Sequence, residues 1–109
     1  MGRAGEKRAA EFLKGLGYKI LKTNFKTRIG EIDIIAEKDG VIAFTEVKTR
    51  TSDSFGTPSE AVGKEKQRKY VLVAQEYLLR EKQSDALCRF DVIEIENGEI
   101  NHITDAFSS

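Results

Sequence analysis

The chain has little of what builds disulfides, zinc sites and membrane spans. Its 109 residues include one cysteine, one proline, one histidine and no tryptophan. Cys88 therefore has no internal disulfide partner, and neither Cys88 nor His102 has a second ligand at the spacing that zinc requires. No apolar run approaches the length of a membrane span, and no signal-peptide pattern opens the chain. We therefore expect a cytoplasmic protein with no membrane partner.

The net charge is zero, because 18 basic residues balance 18 acidic ones. A zero net charge argues against a strong non-specific binder of polyanions. The distribution along the chain is uneven: the net charge is +6 over residues 1–28, −4 over 29–46, +3 over 47–82 and −5 over 83–109. Basic segments thus flank an acidic one. This layout suits a cation site that approaches phosphates, and it equally suits a mixed solvated surface.

The acidic segment, residues 30–50, predicts a β-hairpin. Asp39-Gly40 between two apolar-rich runs is a strong hairpin signal, because both turn residues have to adopt positive φ. A two-residue turn fixes the register of the two strands. The predicted cross-strand pairs are Lys38 with Val41, Ile35 with Phe44, Asp33 with Glu46, and Glu31 with Lys48.

This register places two carboxylates, those of Asp33 and Glu46, roughly 5 Å apart on one face. Like charges directly opposite one another destabilise a ladder, and a hard divalent cation between them removes that penalty. Apolar neighbours make the alternative, two strand-end acids exposed to water, less favourable. Lys48 follows on the same face, where it would either serve the site or form an ion pair with Glu31.

The arrangement resembles the PD-(D/E)XK nuclease superfamily, in which an acidic residue precedes a Glu-x-Lys motif. Here Asp33 is followed by Glu46-Val47-Lys48, although Ile32 stands where the superfamily has proline. A wider set of motifs runs along the chain: Gly5-Glu6, Asn24-Phe25, Gly30-Glu31-Ile32-Asp33, Glu46-Val47-Lys48-Thr49-Arg50, Phe55-Gly56, Lys66-Gln67 and Arg89-Phe90-Asp91-Val92. This set is similar to the YraN-like family of small bacterial proteins.

The resemblance implies an α/β fold with a restriction-endonuclease-like αβββαβ core, a mixed sheet flanked by helices. It covers nearly the whole chain, so we expect a single nuclease-like domain over residues 1–109. The family is similar in layout to archaeal Holliday-junction resolvases. That similarity implies DNA as the partner, branched DNA as one form of it, and a homodimer with paired sites.

Periodicity alone predicts the same order of elements. A helix over residues 3–16 has Glu6, Ala10 and Leu13 on its apolar stripe, with Leu16 beside them. A strand follows over 18–26, then the hairpin, a polar loop over 51–58 that could contact DNA, and a helical segment from Ser59-Glu60. Further segments are a helix over 64–80, a connection over 81–88, and strands over 90–96 and 99–104 around an Asn97-Gly98 turn. A helical crossover predicts that the strand after the long helix runs parallel to the third strand.

The long helix has a predicted core stripe of Val71, Ala74 and Leu78, with Tyr70 and Tyr77 flanking it. One turn earlier, Gln67 lies on that stripe. Basic residues surround Gln67 and are either phosphate contacts or an ordinary solvated face. The candidate nucleic-acid-binding residues are Arg50, Lys64, Lys66, Arg68 and Lys69.

Two kinds of function remain open. In a Mg²⁺- or Mn²⁺-dependent endonuclease, the metal ligands would be Asp33, Glu46, Glu6 and the backbone carbonyl of Val47. Lys48 would position water or offset phosphate charge, and Gln67 would approach the site. The role of Glu6 follows from the resemblance, since a helical Glu can also simply favour the helix dipole. The alternative is a non-catalytic nucleic-acid-binding or scaffold module on the same fold. Arg89, Asp91 and His102 are expected to be structural.

Overall fold

The computed structural model describes residues 2–50 and 63–107, with side chains from Ala4 onward. Two helices and five strands follow one another along the chain. They are α1 (Gly2–Gly15), β1 (Lys19–Lys26), β2 (Glu31–Lys38), β3 (Val41–Arg50), α2 (Lys64–Arg80), β4 (Leu87–Glu96) and β5 (Glu99–Phe107). The predicted loop over 51–58 and the helical segment from Ser59-Glu60 lie outside the described residues. No helix in the described part of the chain is long and apolar enough to cross a membrane.

The five strands form one sheet in the order β1-β2-β3-β4-β5. Neighbouring strands are antiparallel except β3 and β4, which pair in parallel from Val41↔Leu87 to Arg50↔Glu96. The connection that contains α2 joins these two parallel strands, as the crossover argument predicts. The prediction of an α/β fold with a mixed sheet is therefore confirmed.

The β2–β3 hairpin has the predicted turn. Asp39 and Gly40 have φ values of 53° and 79°, and the ladder pairs Lys38 with Val41 and Ile35 with Phe44. The ladder ends at Ile34↔Thr45. All of these pairs have the predicted register, and the next pair in that register, Asp33 and Glu46, lies just beyond the end of the ladder.

α1 packs on one face of the sheet. Its buried residues Ala9, Ala10 and Leu13 form a cluster with four residues from the strands, Ile34, Ala36, Ile93 and Ile95. Leu16 is 44% exposed, so its predicted place beside the stripe is wrong. The helix ends at Gly15, and the chain turns away before Leu16 could join the cluster.

α2 packs on the other face, with a different stripe from the one predicted. Its buried residues are Tyr70, Val73, Ala74, Tyr77 and Leu78. Val71 is only partly buried at the edge of this cluster. The helix is thus rotated relative to the prediction, because the tyrosine rings fill the space over Phe44, Phe25 and Phe107. The rotation points Tyr70 inward.

The regular alternation of β2 breaks around Asp33. Ile32 and Ile35 pack on the α2 face, whereas Ile34 packs on the α1 face. On the neighbouring strand, Asn24 has a positive φ of 53° and lies between the pairs Thr23↔Ile34 and Phe25↔Ile32, opposite Asp33. A local distortion of both strands thus coincides with the first candidate acid.

The C-terminal strands begin earlier and end later than expected. β4 begins at Leu87, inside the connection predicted over 81–88, and β5 continues to Phe107. Asn97 and Gly98 have φ values of 52° and 83°, which confirms the second hairpin turn. β4 begins earlier than its apolar residues predicted, because its first residues pair with β3 from Val41↔Leu87 onward.

Candidate functional site

The site begins where the β2–β3 ladder opens. The Asp33 carboxylate accepts a hydrogen bond from the Val47 backbone N–H, with Oδ2 2.8 Å from the nitrogen. A side chain of β2 thus takes the place of a backbone partner for β3. The same position brings Asp33 to Glu46, and the two side chains hydrogen-bond to each other. The two acids meet as the sequence predicts.

The two carboxyl groups have opposite pKa shifts. Burial, and next the negative charge of Glu46, raise the pKa of Asp33 from 3.8 to about 8. Burial alone would also raise the pKa of Glu46, but hydrogen bonds from Lys66 and Tyr70 outweigh it and lower that pKa below 4.5. The pair therefore binds a proton well above the ordinary pH range of a carboxyl group.

Glu46 is 3% exposed, and three donor side chains besides Asp33 surround it. The Tyr70 hydroxyl donates to Oε1. The Lys66 ammonium lies 2.5 Å from Oε2, and the Lys48 ammonium lies 3.6 Å from the same oxygen. Burial, and after it the charges of Glu46 and Asp33, raise the pKa of Tyr70 well above 10, so the hydroxyl remains a donor.

Glu6 comes to these acids from α1. Its Oε1 is buried and has no hydrogen-bond partner within residues 2–50 and 63–107, and its charge contributes to the raised pKa of Asp33. A Cβ on the preceding residue, Gly5, would lie 2.7 Å from Thr49 Oγ1. Glycine at this position therefore lets the first turns of α1 lie close to β3, which brings Glu6 beside the acid pair.

The site has oxygen atoms of the kind that a hard divalent cation binds. They are the buried Glu46 carboxylate, the half-buried Asp33 carboxyl group and a buried Glu6 oxygen with no hydrogen-bond partner among the described residues. Within the described ranges, however, no three Asp, Glu, His or Cys side chains converge on one point. An ammonium group, that of Lys66, instead lies against Glu46. Val47 contacts the site through its N–H, and its carbonyl remains a predicted ligand.

The basic residues of α2 divide into two groups. Lys66 reaches the acid pair, whereas Lys64, Arg68 and Lys69 are exposed and Gln67 is half-buried in the same two turns. A groove of about 480 Å³ lies between these turns and residues 29–31, and Lys66, Lys69 and Tyr70 are part of its lining. Of the predicted phosphate contacts, Lys66 thus lies at Glu46 and Lys69 lies in the adjoining groove.

Arg50 is engaged elsewhere. Its Nε lies 2.6 Å from Glu94 Oε2 on β4, and its side chain is 13% exposed. A contact from Arg50 to nucleic acid would have to replace this ion pair. Its predicted role is therefore less direct than that of the α2 residues.

Sequence reasoning missed Tyr70 as a site residue and gave Lys66 a different role. The signal that could have found both is their spacing, because Lys66 and Tyr70 are four residues apart and share a helix face. Gln67, three residues before Tyr70, belongs to the same face. If Tyr70 points toward the sheet, Lys66, one helical turn earlier, points toward the same side.

A second buried cluster lies around Asp91, which is fully buried. Its carboxylate accepts hydrogen bonds from Arg89 Nε at 2.9 Å and the Asp105 N–H at 3.0 Å, and His102 Nε2 lies 2.9 Å away. Burial alone would raise the pKa of Asp91, but the bonds from His102 and Arg89 lower it. Arg89 also donates to the Tyr18 hydroxyl. These contacts join β4, β5 and the residue before β1, and they confirm the predicted Arg89–Asp91 pair and a hydrogen-bonded His102.

Comparison with known proteins gives one consistent family. A sequence model of the uncharacterised protein family UPF0102 matches residues 5–95. A UPF0102 protein of Caldicellulosiruptor saccharolyticus is 46% identical over 96% of this chain and 89% of the relative. A UPF0102 protein of Alkaliphilus oremlandii is 50% identical over 98% of this chain and 97% of the relative. A third, of Persephonella marina, is 45% identical over 97% and 91%.

Proposed function

The chain belongs to the uncharacterised protein family UPF0102, and we propose that it is an endonuclease that hydrolyses phosphodiester bonds in DNA with Mg²⁺ or Mn²⁺. The observation that carries the proposal is the contact of half-buried Asp33 with buried Glu46, beside a Glu6 oxygen that has no hydrogen-bond partner among the described residues. Adjacent carboxyl groups that are withdrawn from water lower the stability of a fold. Such groups concentrate at functional sites. Lys48, adjacent to the pair, completes the residue types that metal-dependent phosphodiester hydrolysis uses.

The fold supports the same proposal at the level of architecture. The observed order αβββαββ contains the αβββαβ order expected of a restriction-endonuclease-like core, with β4 parallel to β3. We therefore propose that the chain is a single nuclease-like domain of the PD-(D/E)XK superfamily, similar to Holliday-junction resolvases. We also propose a cytoplasmic location.

Each site residue has a distinct role in this proposal. Asp33, Glu46, Glu6 and the Val47 carbonyl would hold the metal, which when bound polarises a phosphoryl oxygen and lowers the pKa of a water molecule. Lys48 offsets negative charge on the phosphate that approaches Glu46. Tyr70 fixes the orientation of the Glu46 carboxylate through its hydroxyl. Gln67 approaches the substrate from the same face of α2.

The exposed cations Lys64, Arg68 and Lys69 supply affinity for the phosphate backbone. Contacts of this type depend on salt and carry little sequence information. Branched DNA is the proposed substrate form, and paired sites on a junction would require a homodimer. Sedimentation of the protein with and without a four-way junction tests that part of the proposal.

The direct test is cleavage of a panel of branched and linear DNAs with Mg²⁺ or Mn²⁺, compared with Glu46→Ala and with reactions in EDTA. We expect cleavage by the parent with metal alone, and none by the variant. Equal cleavage by both proteins would assign the activity to a contaminant and remove the proposed site.

A second function is favoured by one observation. Lys66 already compensates the charge of Glu46, as it would in a protein that binds nucleic acid without hydrolysing it. Binding of the same DNAs in EDTA, together with absence of cleavage under every metal condition, would select this non-catalytic function. Absence of DNA binding as well would leave the scaffold function.

A further inference from the structure

We propose that Lys66 is the built-in counter-cation of the acid site, which Mg²⁺ or Mn²⁺ has to displace from Glu46 when it binds. This inference rests on the proposed metal-dependent function, and it adds a residue that regulates loading of the site. Its consequence is that the parent binds metal more weakly than its carboxylates alone would allow.

The contact itself is asymmetric in exposure. Lys66 Nζ lies 2.5 Å from Glu46 Oε2, with the lysine side chain 45% exposed and the glutamate side chain 4% exposed. The ammonium can therefore withdraw into solvent by side-chain rotation alone, whereas Glu46 cannot follow it. Lysine suits this role because its ammonium is a strongly hydrated point charge on a flexible stem.

The two oxygens of Glu46 have different surroundings. Oε1 accepts the Tyr70 hydroxyl, which is almost fully buried and comes from the core side of α2. Oε2 faces both Lys66 and the more distant Lys48. A cation that ligates Oε2 has to occupy space within about 2.1 Å of it. Lys66 cannot keep its 2.5 Å distance to Oε2 there without close like-charge repulsion.

Withdrawal places Lys66 among the cations proposed to bind phosphate. Lys64, Arg68 and Lys69 are exposed on the same two turns of α2. Metal binding would thus release a fourth cation for the DNA backbone, and a bound phosphate would draw Lys66 away from Glu46. By linkage, metal and DNA would then each raise the affinity for the other by the same factor.

The test is calorimetric titration of the full chain with Mn²⁺ alone, without DNA, for the parent, Lys66→Met and Lys69→Met. Lys69→Met removes the same charge from the same helix without touching Glu46. We expect Lys66→Met to bind Mn²⁺ roughly three- to tenfold more tightly than the parent, as removal of one competing ion pair predicts. Lys69→Met should stay within about twofold of the parent.

Two controls separate an effect of charge from a loss of the fold. Lys66→Arg keeps a cation at Glu46 and should bind Mn²⁺ no more tightly than the parent. Thermal melts in EDTA report whether each variant is folded at the titration temperature, and a Lys66→Met protein that is unfolded there is replaced by Lys66→Gln.

The outcomes separate the two proposals. A parent that shows neither binding heat nor a Mn²⁺-dependent rise in melting temperature overturns the proposed metal-dependent function. A parent that binds Mn²⁺ while Lys66→Met binds equally or more weakly overturns the displacement of Lys66 and leaves the metal site intact.

Discussion

Asp33 makes two hydrogen bonds that an asparagine at this position can also make. Its carboxyl group accepts the Val47 N–H and donates toward Glu46 in the protonated form. An asparagine in the same rotamer has a carbonyl oxygen and an N–H₂ for these partners. Substitution of this residue therefore separates the fold from metal binding.

We expect Asp33→Asn to melt at or above the parent in EDTA and to lose most of the stabilisation by Mn²⁺. Saturation of a native-state site at 100 times its Kd stabilises by about 2.7 kcal/mol, so the parent should show a clear rise in melting temperature. A variant that melts well below the parent in EDTA would show that the carboxylate is a structural hydrogen-bonding group.

The raised pKa of Asp33 also sets a pH dependence. The unfolded chain loses this proton near pH 3.8, whereas the folded chain keeps it until about pH 8. Between these values the folded state binds more protons, so this group makes stability fall as pH rises and has no further effect above about pH 8. The slope cannot exceed about 1.4 kcal/mol per pH unit.

Urea titrations in EDTA from about pH 4.5 to about pH 9 measure this slope, and the difference between the parent and Asp33→Asn isolates it. Glu46 acts in the other direction and in another window. Its lowered pKa gives stability that is present above pH 4.5 and is lost as pH falls through the folded pKa. A difference that does not change with pH would contradict the raised pKa of Asp33.

Lys48 is the residue whose loss should separate chemistry from metal binding. Its ammonium lies near Glu46 and is not a metal ligand. We expect Lys48→Ala to lose cleavage by about 100-fold or more, on the order of one positioned electrostatic group, while Mn²⁺ still raises its melting temperature. Cleavage at the parent rate would remove Lys48 from the mechanism.

At the scale of elements, one close approach brings the start of α1 against β3. A Cβ at Gly5 would lie 2.7 Å from Thr49 Oγ1, so Gly5→Ala has to displace the Thr49 side chain or shift the helix against the strand. We expect this variant to be destabilised by about 1–3 kcal/mol, as overpacking usually is, and to bind Mn²⁺ more weakly because Glu6 moves with the helix. Gly15→Ala, with nothing within 4 Å of the added Cβ, is the matched control. Calorimetry and urea titration of both variants provide the measurements.

The elements also show how far the sequence could determine the site. The hairpin was predictable, because its turn depends on two residues whose positive φ is a local property. The acids were predictable because the turn fixes their distance from it. The end of the ladder at Asp33 was not predictable, because it coincides with a positive φ at Asn24 in a neighbouring strand, which the hairpin sequence does not reveal.

Helix α2 shows the same limit. Both Val71 and Val73 are apolar, so periodicity allows two rotations of the helix, and packing of aromatic rings across the sheet selects one. That selection turns Tyr70 toward Glu46 and brings Lys66 along. The sequence pattern places Lys66 and Tyr70 on one helix face. It does not show that this face points toward Glu46, because the rotation of the helix depends on packing across the core.

At the scale of the whole molecule, opposite charges are separated in space around the site. The acids lie where the β2–β3 ladder opens, and the exposed cations lie on the first turns of α2. We expect a Lys64→Ala, Arg68→Ala, Lys69→Ala triple variant to bind DNA more weakly. The slope of log affinity against log salt should flatten by about 0.9 for each phosphate that the variant no longer neutralises.

Fluorescence anisotropy of labelled DNA in EDTA, measured over a range of salt concentrations, gives that slope. A triple variant of exposed cations on β1, Lys19→Ala, Lys22→Ala, Lys26→Ala, controls for net charge. If both triples change the slope equally, the α2 residues are an ordinary solvated face.

The strand order has a consequence for how the chain folds. β1, β2 and β3 pair with their neighbours in sequence, whereas β3 meets β4 only after the connection containing α2 has been closed. Short-range pairings close smaller loops, so we expect the first half of the chain to assemble early and the parallel pair to form late. Glu6, Asp33 and Glu46 all belong to the early half, and Lys66 and Tyr70 arrive with the late helix. The mutual repulsion of the acids therefore opposes the early steps of folding, and the docking of α2 both completes the sheet and relieves that repulsion.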